Sequence, residues 1–353
     1  MLLAEAAILI FVFPDDPALP RLAAMDPDWL LRLLPERHDL AHAARITLRY
    51  KPQRRYVTRL DGSQGAAVLK LYSAAGYDAA ARGARAFESC ASFALAAPIA
   101  QSAADRALVL RWVEGVELRE RLAEPDRYPG ELVATGRAIA LVHRQTTRGL
   151  LHVSRTAQAT GLASLASSLS LLSPELSARV GEIARQLAER LIALPECSRP
   201  IHGDFDASQV VVGRAGVTVI DFDRAQLGDP STDLGNFLAH LEYDALHRRI
   251  TPTRIGHLSD ALLAGYEGSA KVPDLAHVRL DTAAGLLKLA PHPFRRRHAA
   301  WAEITRSIVA RVEALLEPYA KMLPPPVDAS ALHLGVGGPP GPPLESLAPT
   351  ESG

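Results

Sequence analysis

The chain has 353 residues, of which 48% are apolar and 22% are charged, and its 39 basic residues balance 39 acidic ones. This length allows one large or two moderate domains, and the zero net charge gives no reason to expect nucleic acid or a membrane surface as a partner. No apolar run reaches the roughly 20 residues that span a bilayer. Because Cys90 and Cys197 lack paired or metal-type spacing, we expect reduced thiols and a cytoplasmic protein.

The first third of the chain predicts one helix and then three strands. The helix spans residues 26–34, because Asp26 suits the N-cap and Pro27 the first helical position. The three strands are rich in β-branched and aromatic residues and are bounded by turn residues. They cover residues 46–50, 55–60 and 66–72.

Basic residues in these strands are candidates for binding an anion. Lys70 lies in the middle of the third strand between apolar neighbours, where an unpartnered ammonium is costly. It either has a functional partner or points into water from an edge strand. The turn after the first strand carries Lys51, Arg54 and Arg55, which could hold phosphates by charge or form a solvated basic turn. The charge pattern does not decide between these two interpretations.

The rest of the chain is mainly helical in pattern after an apolar strand at 107–113. Leu132, Ile139 and Val142 share one face of a helix that ends near His143, and we interpret this histidine as structural. Further helical patterns cover residues 162–194, 233–241 and 255–323. The basic stretch from Lys288 to His298 either recognises an anionic substrate or forms a solvated face, and the latter is the more common role.

Most of the candidate catalytic and metal-binding residues lie between residues 201 and 233. Two β-branched runs, 210–212 and 217–220, flank a turn bounded by glycines, which predicts a β-hairpin. Gln209 precedes the first strand and Asp221 follows the second, so their oxygens meet at the open end of the hairpin. Asp204 arrives on the loop immediately upstream. Three oxygen-bearing side chains at one point suit a hard divalent cation such as Mg²⁺.

With these residues the chain resembles the aminoglycoside phosphotransferase and choline kinase family of small-molecule kinases. The resemblance covers about residues 46–319 and rests on short motifs that occur in the order of the phosphoryl-transfer plan. These motifs are His202-Gly203-Asp204, Ile220-Asp221-Phe222-Asp223, Gly228-Asp229-Pro230 and Asp233-Leu234. One departure is visible, since the family usually has Asn where this chain has Gln209. Without the resemblance, the aspartates could merely cap turns.

The resemblance implies an α+β, two-lobed protein-kinase-like fold. Residues 1–113 would form a small, mostly antiparallel β lobe that binds the nucleotide, and residues 114–323 a larger, mainly helical lobe that binds the substrate. Residues 324–353 are rich in Pro and Gly and predict a disordered tail. The implied activity is ATP- and Mg²⁺-dependent transfer of the γ-phosphoryl group to a hydroxyl of a small molecule.

The resemblance also implies a role for each candidate residue. Asp204 would be the catalytic acid–base group, and Gln209 with Asp221 would bind Mg²⁺. Lys70 would reach the nucleotide phosphates and be fixed by Glu88, the only Glu of a helix predicted over 78–93. The hinge between the lobes would hold the adenine through the backbone of three residues, Arg111, Trp112 and Val113. Supporting roles fall to four further residues: His202, Asp223, Asp229 and Asp233.

Several questions stay open at the level of the sequence. The acceptor could be an aminoglycoside, choline, homoserine, a sugar or a macrolide. Alternatively, the protein is a non-catalytic nucleotide-binding module in which Gln209 marks a decayed metal site. The sequence does not predict the oligomeric state.

Overall fold

The computed structural model describes residues 2–3, 8–9, 11–89, 93–124 and 130–317. The predicted tail at 324–353, the end of the predicted C-terminal lobe and Cys90 lie outside the described residues. Along the described chain, no helix is both long and apolar enough to cross a membrane.

The N-terminal lobe is built mainly from antiparallel strands. Its elements are β1 Leu2–Leu3, β2 Ile8–Leu9, α1 Pro27–Leu33, α2 His38–Ala41, β3 Ala44–Lys51, β4 Arg55–Gly62, β5 Gly65–Tyr72, α3 Ala74–Ala86, β6 Ala94–Leu95, β7 Pro98–Ser102 and β8 Ala107–Arg111. Five of the strands form one sheet in the order β3-β4-β5-β8-β7, and every neighbouring pair is antiparallel. The predicted helix, with Asp26 as its N-cap, and the three predicted strands are present.

The five-stranded sheet buries side chains on both faces, because successive residues of a strand point to opposite sides. Leu69 and Leu71 of β5 pack with α1 and α2 in one apolar cluster. Lys70 lies between them in sequence and therefore faces the other side, where its register partners are Val57 of β4 and Leu108 of β8. Leu108 packs there against residues of α3. The lysine thus sits on the face that α3 covers.

The C-terminal lobe is mainly helical. Its elements are β9 Val116–Glu117, α4 Leu118–Ala123, α5 Gly130–Arg144, α6 Arg155–Leu172, α7 Ser177–Ala193, β10 Arg199–Ile201, β11 Val210–Gly213, β12 Gly216–Val219, β13 Gln226–Gly228, α8 Pro230–Leu246, α9 Pro252–Glu267, α10 Leu275–Leu289, α11 His292–Arg295 and α12 Trp301–Leu316. One apolar core joins α5, α8 and α9 to the β11–β12 hairpin. A second core joins α6, α7, α10 and α12.

A small four-stranded sheet joins the two parts of the chain. Its order is β6-β12-β11-β9, so the β11–β12 hairpin lies in the middle. β6 pairs with β12 in parallel, and β9 pairs with β11 antiparallel. The five-stranded sheet on one side and the helices on the other correspond to the two lobes that the sequence predicts. The predicted lobe boundary after residue 113 falls between β8 and β9 and stays a proposal.

Candidate active site

The predicted hairpin brings Gln209 and Asp221 to its open end. β11 pairs with β12 from Val210–Val219 to Gly213–Gly216, and the Ile220 N–H donates to the Gln209 carbonyl over 2.9 Å. Asp221 follows Ile220 directly and adopts a left-handed backbone conformation with φ 64°. This region is uncommon for non-glycine residues, and strained backbone of this kind recurs at active sites. The hairpin therefore places the two predicted metal ligands at the same edge.

Asp221 and Asp223 share a buried cluster of charges with the N-terminal lobe. Lys70 Nζ lies 2.6 Å from Asp221 Oδ1 and 2.9 Å from Asp223 Oδ1. Arg55 donates to Asp223 over 2.8 Å, and the Tyr72 hydroxyl lies 3.0 Å from both oxygens of that carboxylate. Only 6% of the Lys70 surface is exposed. Two cations thus neutralise two carboxylates at the junction of the lobes.

The pKa values of the two carboxyl groups in this cluster are shifted in opposite directions. Burial opposes ionisation of both groups. At Asp221 the charges of Lys70 and Arg55 outweigh burial and hold the pKa well below its usual value. At Asp223, burial and the neighbouring Asp221 charge raise the pKa, although Lys70 opposes this. Asp221 is therefore the firmly ionised member, which is the state that a cation requires.

The predicted pairing of Lys70 with Glu88 is wrong in this structure. The helix that was predicted over 78–93 is α3, and it ends at Ala86. Phe87 then turns inward and packs against Phe222 with ring centroids 4.7 Å apart, which leaves Glu88 exposed. The Glu88 backbone is bonded to Gln145, and its carboxylate makes no ion pair within the described part of the chain. Asp221 and Asp223 hold the lysine instead.

The Asp233 carboxylate holds the loop that carries Asp204 through backbone hydrogen bonds. This carboxylate is fully buried and accepts the backbone N–H groups of His202 and Gly203 over 2.7 and 2.8 Å. His143 adds a third contact at 2.9 Å, and its other ring nitrogen meets the Tyr266 hydroxyl. Burial opposes ionisation of Asp233, but these contacts lower its pKa overall. The supporting role predicted for Asp233 and the structural role predicted for His143 agree with these contacts.

His202 links the loop to the hairpin end. Its Nε2 lies 2.8 Å from the Ile220 carbonyl, so this nitrogen carries the proton and donates. Its Nδ1 accepts the Asp204 N–H over 3.3 Å. Gly203 has φ 80°, and a Cβ there would collide with the carbonyl oxygen of Arg224. Asp204 is therefore held next to the segment that carries Asp221, and 48% of its side chain stays exposed.

Asn236 is a further loop support that the sequence reasoning missed. Its side-chain amide donates to the Phe205 carbonyl over 2.9 Å. The signal that could have found it is its place one helical turn after Asp233, on the same face of α8. Arg55 was noted only as one of three basic turn residues, and the structure separates them: Arg55 belongs to the charge cluster, whereas Arg54 is exposed.

Asp229 supports the next segment rather than the reaction centre. It is the N-cap of α8 and accepts from the Ser231 backbone and hydroxyl. Arg155 lies 2.9 Å from Asp229 and 3.0 Å from Asp281, and both Arg155 and Asp281 are buried. Four polar side chains in this network thus anchor the start of α8 to α6 and α10.

The predicted hinge begins where β8 ends at Arg111. The N–H groups of Arg111 and Trp112 already donate to the Ala97 and Ala66 carbonyls. Val113 makes no backbone hydrogen bond to another described residue, so its N–H and C=O remain available. The Trp112 ring lies under the Arg59 guanidinium at 4.4 Å, and its buried Nε1 has no hydrogen-bond partner in the described chain.

The described residues contain no group of three or more His, Cys, Asp or Glu side chains that could hold a metal ion. At the hairpin end, Asp221 and the Gln209 amide are the residues that would hold a cation, with ligand or water oxygens completing the shell. This mixed set of hard oxygens is what Mg²⁺ prefers, because it usually keeps several waters and binds one or two carboxylates.

Three solved structures with a similar fold are small-molecule kinases. A choline/ethanolamine kinase family protein from Mesorhizobium loti has 17% identity and a TM-score of 0.54, with 82% of this chain and 94% of that chain covered. A choline kinase from Cryptosporidium parvum has 9% identity and a TM-score of 0.56, covering 83% and 95%. A thermostable mutant of the aminoglycoside phosphotransferase APH(4)-Ia has 18% identity and a TM-score of 0.57, covering 84% and 99%.

The two lobes and the site between them thus define a small-molecule phosphotransferase with a protein-kinase-like fold, as the sequence predicts. The model of the phosphotransferase enzyme family matches residues 21–280. Because this match spans more than half of the 353 residues, the chain belongs to that family. Among curated proteins, none matches the sequence.

Proposed function

We propose that the protein transfers the γ-phosphoryl group of ATP to a hydroxyl of a small molecule in a Mg²⁺-dependent reaction. The observation that carries this proposal is the arrangement around Asp204. The backbone N–H of Asp204 donates to His202, which is bonded to the hairpin end where Asp221 and Gln209 lie, and the Asp204 carboxylate stays accessible. Asp221 contacts Lys70 from the opposite lobe. Phosphoryl transfer depends mainly on such positioning and on charge neutralisation.

Features near the hinge fit a nucleotide. Trp112 Nε1 is a buried donor without a partner among the described residues, and a bound molecule can supply the acceptor. Val113 offers its backbone N–H and C=O at the same place. Lys70 provides a positive charge on the face of β5 that α3 covers. The phosphates of a nucleotide whose adenine binds at the hinge would reach this lysine. The solved APH(4)-Ia complex contains AMP-PNP and hygromycin B, which supports ATP as the donor here.

Each site residue then has a separate task. Mg²⁺ would neutralise charge on the transferred phosphoryl group. Asp221 and Gln209 would hold the ion, and Lys70 would position the phosphates once its contact with Asp221 is relaxed. Asp204 would orient the acceptor hydroxyl and accept its proton. Asp223 keeps Lys70 and Arg55 in place. A cytoplasmic location stays a prediction from the sequence.

The test separates chemistry from binding with two variants. Asp204→Asn should lower kcat by about 10²-fold or more, because it removes the proton acceptor, while Mg²⁺-dependent binding of AMP-PNP stays close to wild type. Asp221→Asn should abolish the Mg²⁺ dependence of AMP-PNP binding. Steady-state ADP release and titration calorimetry measure the two effects. Asp260→Asn, at an exposed position on α9, is the matched control and should change neither.

Two outcomes would contradict the assignments. Wild-type turnover in Asp204→Asn would remove Asp204 as the acceptor of the proton. Unchanged Mg·AMP-PNP affinity in Asp221→Asn would remove the metal site from the hairpin end. A wild-type protein that binds AMP-PNP but releases no ADP with any hydroxyl compound would instead support a non-catalytic nucleotide-binding module.

A further inference from the structure

A cavity opens beside the loop that carries Asp204. It has a volume of about 460 Å³, which is within the usual range for small-molecule sites. Its walls come from α3, α6, α10 and the segment after Asp221, and they include Gly203, the residue before Asp204. Arg224 of the same wall lies 3.7 Å from the Asp204 carboxylate, so a molecule in this cavity lies beside Asp204.

The charged groups on the cavity wall are mostly positive. Arg82, Arg224 and Lys288 line it, against one acidic residue, Asp223. Asp223 is already neutralised by Lys70 and Arg55. Within the described ranges, neither Arg82 nor Lys288 has an acidic partner within 4.0 Å. The cavity therefore presents uncompensated positive charge to whatever enters it.

Among these cations, Lys288 is the strongest candidate for binding an anion. It lines the cavity near the end of α10 and stays exposed, while its neighbours Leu287 and Leu289 are buried. The packing of protein around it lowers the pKa of its ammonium, and Asp281 partly opposes that shift. Asp281 itself is engaged by Arg155 and by the Ser231 hydroxyl. The exposed Lys288 ammonium can therefore pair directly with an anion that enters the cavity.

The immediate surroundings of Asp204 have the same sign. Arg224 lies 3.7 Å from the Asp204 carboxylate, and 70% of its side chain is exposed. Lys51, on the turn between β3 and β4, interacts electrostatically with Asp204 and Arg224, although burial is the main cause that lowers its pKa. Asp206 is the nearest acidic residue along the loop, and it faces His240 at 3.8 Å. A polycationic acceptor would meet repulsion from these basic side chains, since like charges brought together disfavour binding.

Resting on the proposed function, we infer that the acceptor is an anionic alcohol whose carboxylate or phosphate group binds Lys288 while its hydroxyl faces Asp204. Arg224 and Arg82 complete the positive wall, and Gln158 of α6 adds an amide to it. This splits the basic stretch from Lys288 to His298 into two parts. Lys288 belongs to the acceptor site, whereas residues 294–298 are exposed and do not line this cavity.

The experiment compares acceptors that share a skeleton and differ in charge. ADP release is measured with gluconate and glucose 6-phosphate, with glucose as the neutral counterpart, and with glycerate against glycerol. Choline and kanamycin serve as cationic acceptors. An anionic acceptor should exceed its neutral counterpart at least tenfold in kcat/KM, which corresponds to about 1.4 kcal/mol. The difference between carboxylate and phosphate acceptors shows which anion the site takes.

Lys288→Gln tests the residue itself. It should raise KM for the best anionic acceptor about tenfold, with little change for the neutral counterpart or for ATP, and Lys288→Arg should restore most of the loss. Lys271→Gln, at an exposed position after α9, is the matched control. A preference for choline or kanamycin, or an equal loss on neutral acceptors, would overturn the inference. So would a matching fall in AMP-PNP affinity, which would assign Lys288 to the nucleotide.

A binding measurement keeps the inference testable if turnover is slow. With Mg·AMP-PNP present, millimolar gluconate or glucose 6-phosphate should raise the Tm of the wild type but not that of Lys288→Gln, because a ligand stabilises the state that binds it. A shift that is equal in both proteins, or none in either, contradicts the inference. Failure of the proposed function is distinguished by calorimetry, since the wild type would then not bind Mg·AMP-PNP at all.

Discussion

Replacing Lys70 with Met should destabilise the protein in a manner that depends on pH. Lys70 is 6% exposed, and its ammonium lies 2.6 and 2.9 Å from two carboxylates. Removing one partner of a buried ion pair costs about 3–5 kcal/mol, because the remaining charge loses its compensation. We expect the lower end, about 3 kcal/mol near pH 8, since Arg55 stays 2.8 Å from Asp223 and partly neutralises the site.

The pH dependence follows from Asp223. Its pKa is already raised in the folded protein, chiefly by burial, and Lys70 opposes that rise. Without Lys70 the pKa of Asp223 should rise further, above the value near 3.9 of an unfolded chain. A carboxyl group with a raised folded pKa favours the folded state at low pH and loses that contribution as pH rises through the folded pKa. The variant should therefore lose less stability near pH 5.5 than near pH 8.

The assay is urea unfolding at both pH values without nucleotide. Lys271→Met is the matched control, because that lysine is exposed, and it should unfold like the wild type. The double variant Lys70→Met/Asp223→Asn should recover part of the loss, since it removes the carboxylate that Lys70 neutralised. The reasoning is refuted if Lys70→Met matches the wild type at both pH values, or if the double variant is less stable than the single one.

Three further predictions concern the loop and the hairpin. Asp233→Asn should cost about 3 kcal/mol at neutral pH, since the fully buried carboxylate accepts two backbone N–H groups and contacts His143. Because the folded pKa of Asp233 is lowered, this contribution is present above about pH 4 and is lost as pH falls through the folded value, so urea unfolding of wild type and variant should converge in acid. Gly203→Ala should reduce kcat about tenfold or more, since φ 80° and the Arg224 carbonyl leave no room for a Cβ; unchanged turnover would contradict this packing. Gln209→Ala should weaken Mg²⁺ activation of ADP release while Gln209→Asn retains it, and equal Mg²⁺ dependence in wild type and both variants would remove Gln209 as a ligand.

The hairpin and the loop support were predictable because their signals are local. Two β-branched runs around a glycine-bounded turn fix the register, and the register fixes which residues flank the open end. Asp233 comes three residues after the Gly228-Asp229-Pro230 motif, near the start of a predicted helix. It is close enough in sequence to reach the loop that carries Asp204. The face of β5 on which Lys70 lies was also predictable, since the alternation sends Leu69 and Leu71 to one face and the lysine to the other, but the sequence left open whether that lysine is buried with a partner or points into water.

The partner of Lys70 was not predictable in the same way. The sequence indicates that a helix follows β5, but where it ends depends on Phe87 packing against Phe222, a contact between distant segments. Ending at Ala86, the helix leaves Glu88 outside, and two aspartates from the other lobe take its place. The meeting of Lys288 with Arg224 on one cavity wall is likewise tertiary, because α10 lies more than 50 residues after the hairpin.

The small junction sheet has a mechanical consequence. β6 and β9 clamp the β11–β12 hairpin from its two edges, and the chain between them leaves this sheet, forms β7 and β8, and returns through the hinge. Both ends of that excursion are thus tethered to the strands that carry Gln209 and Asp221. Any tilting of the β-rich half would twist this short sheet, so a movement of one lobe relative to the other would also shift Gln209 and Asp221, the proposed magnesium ligands.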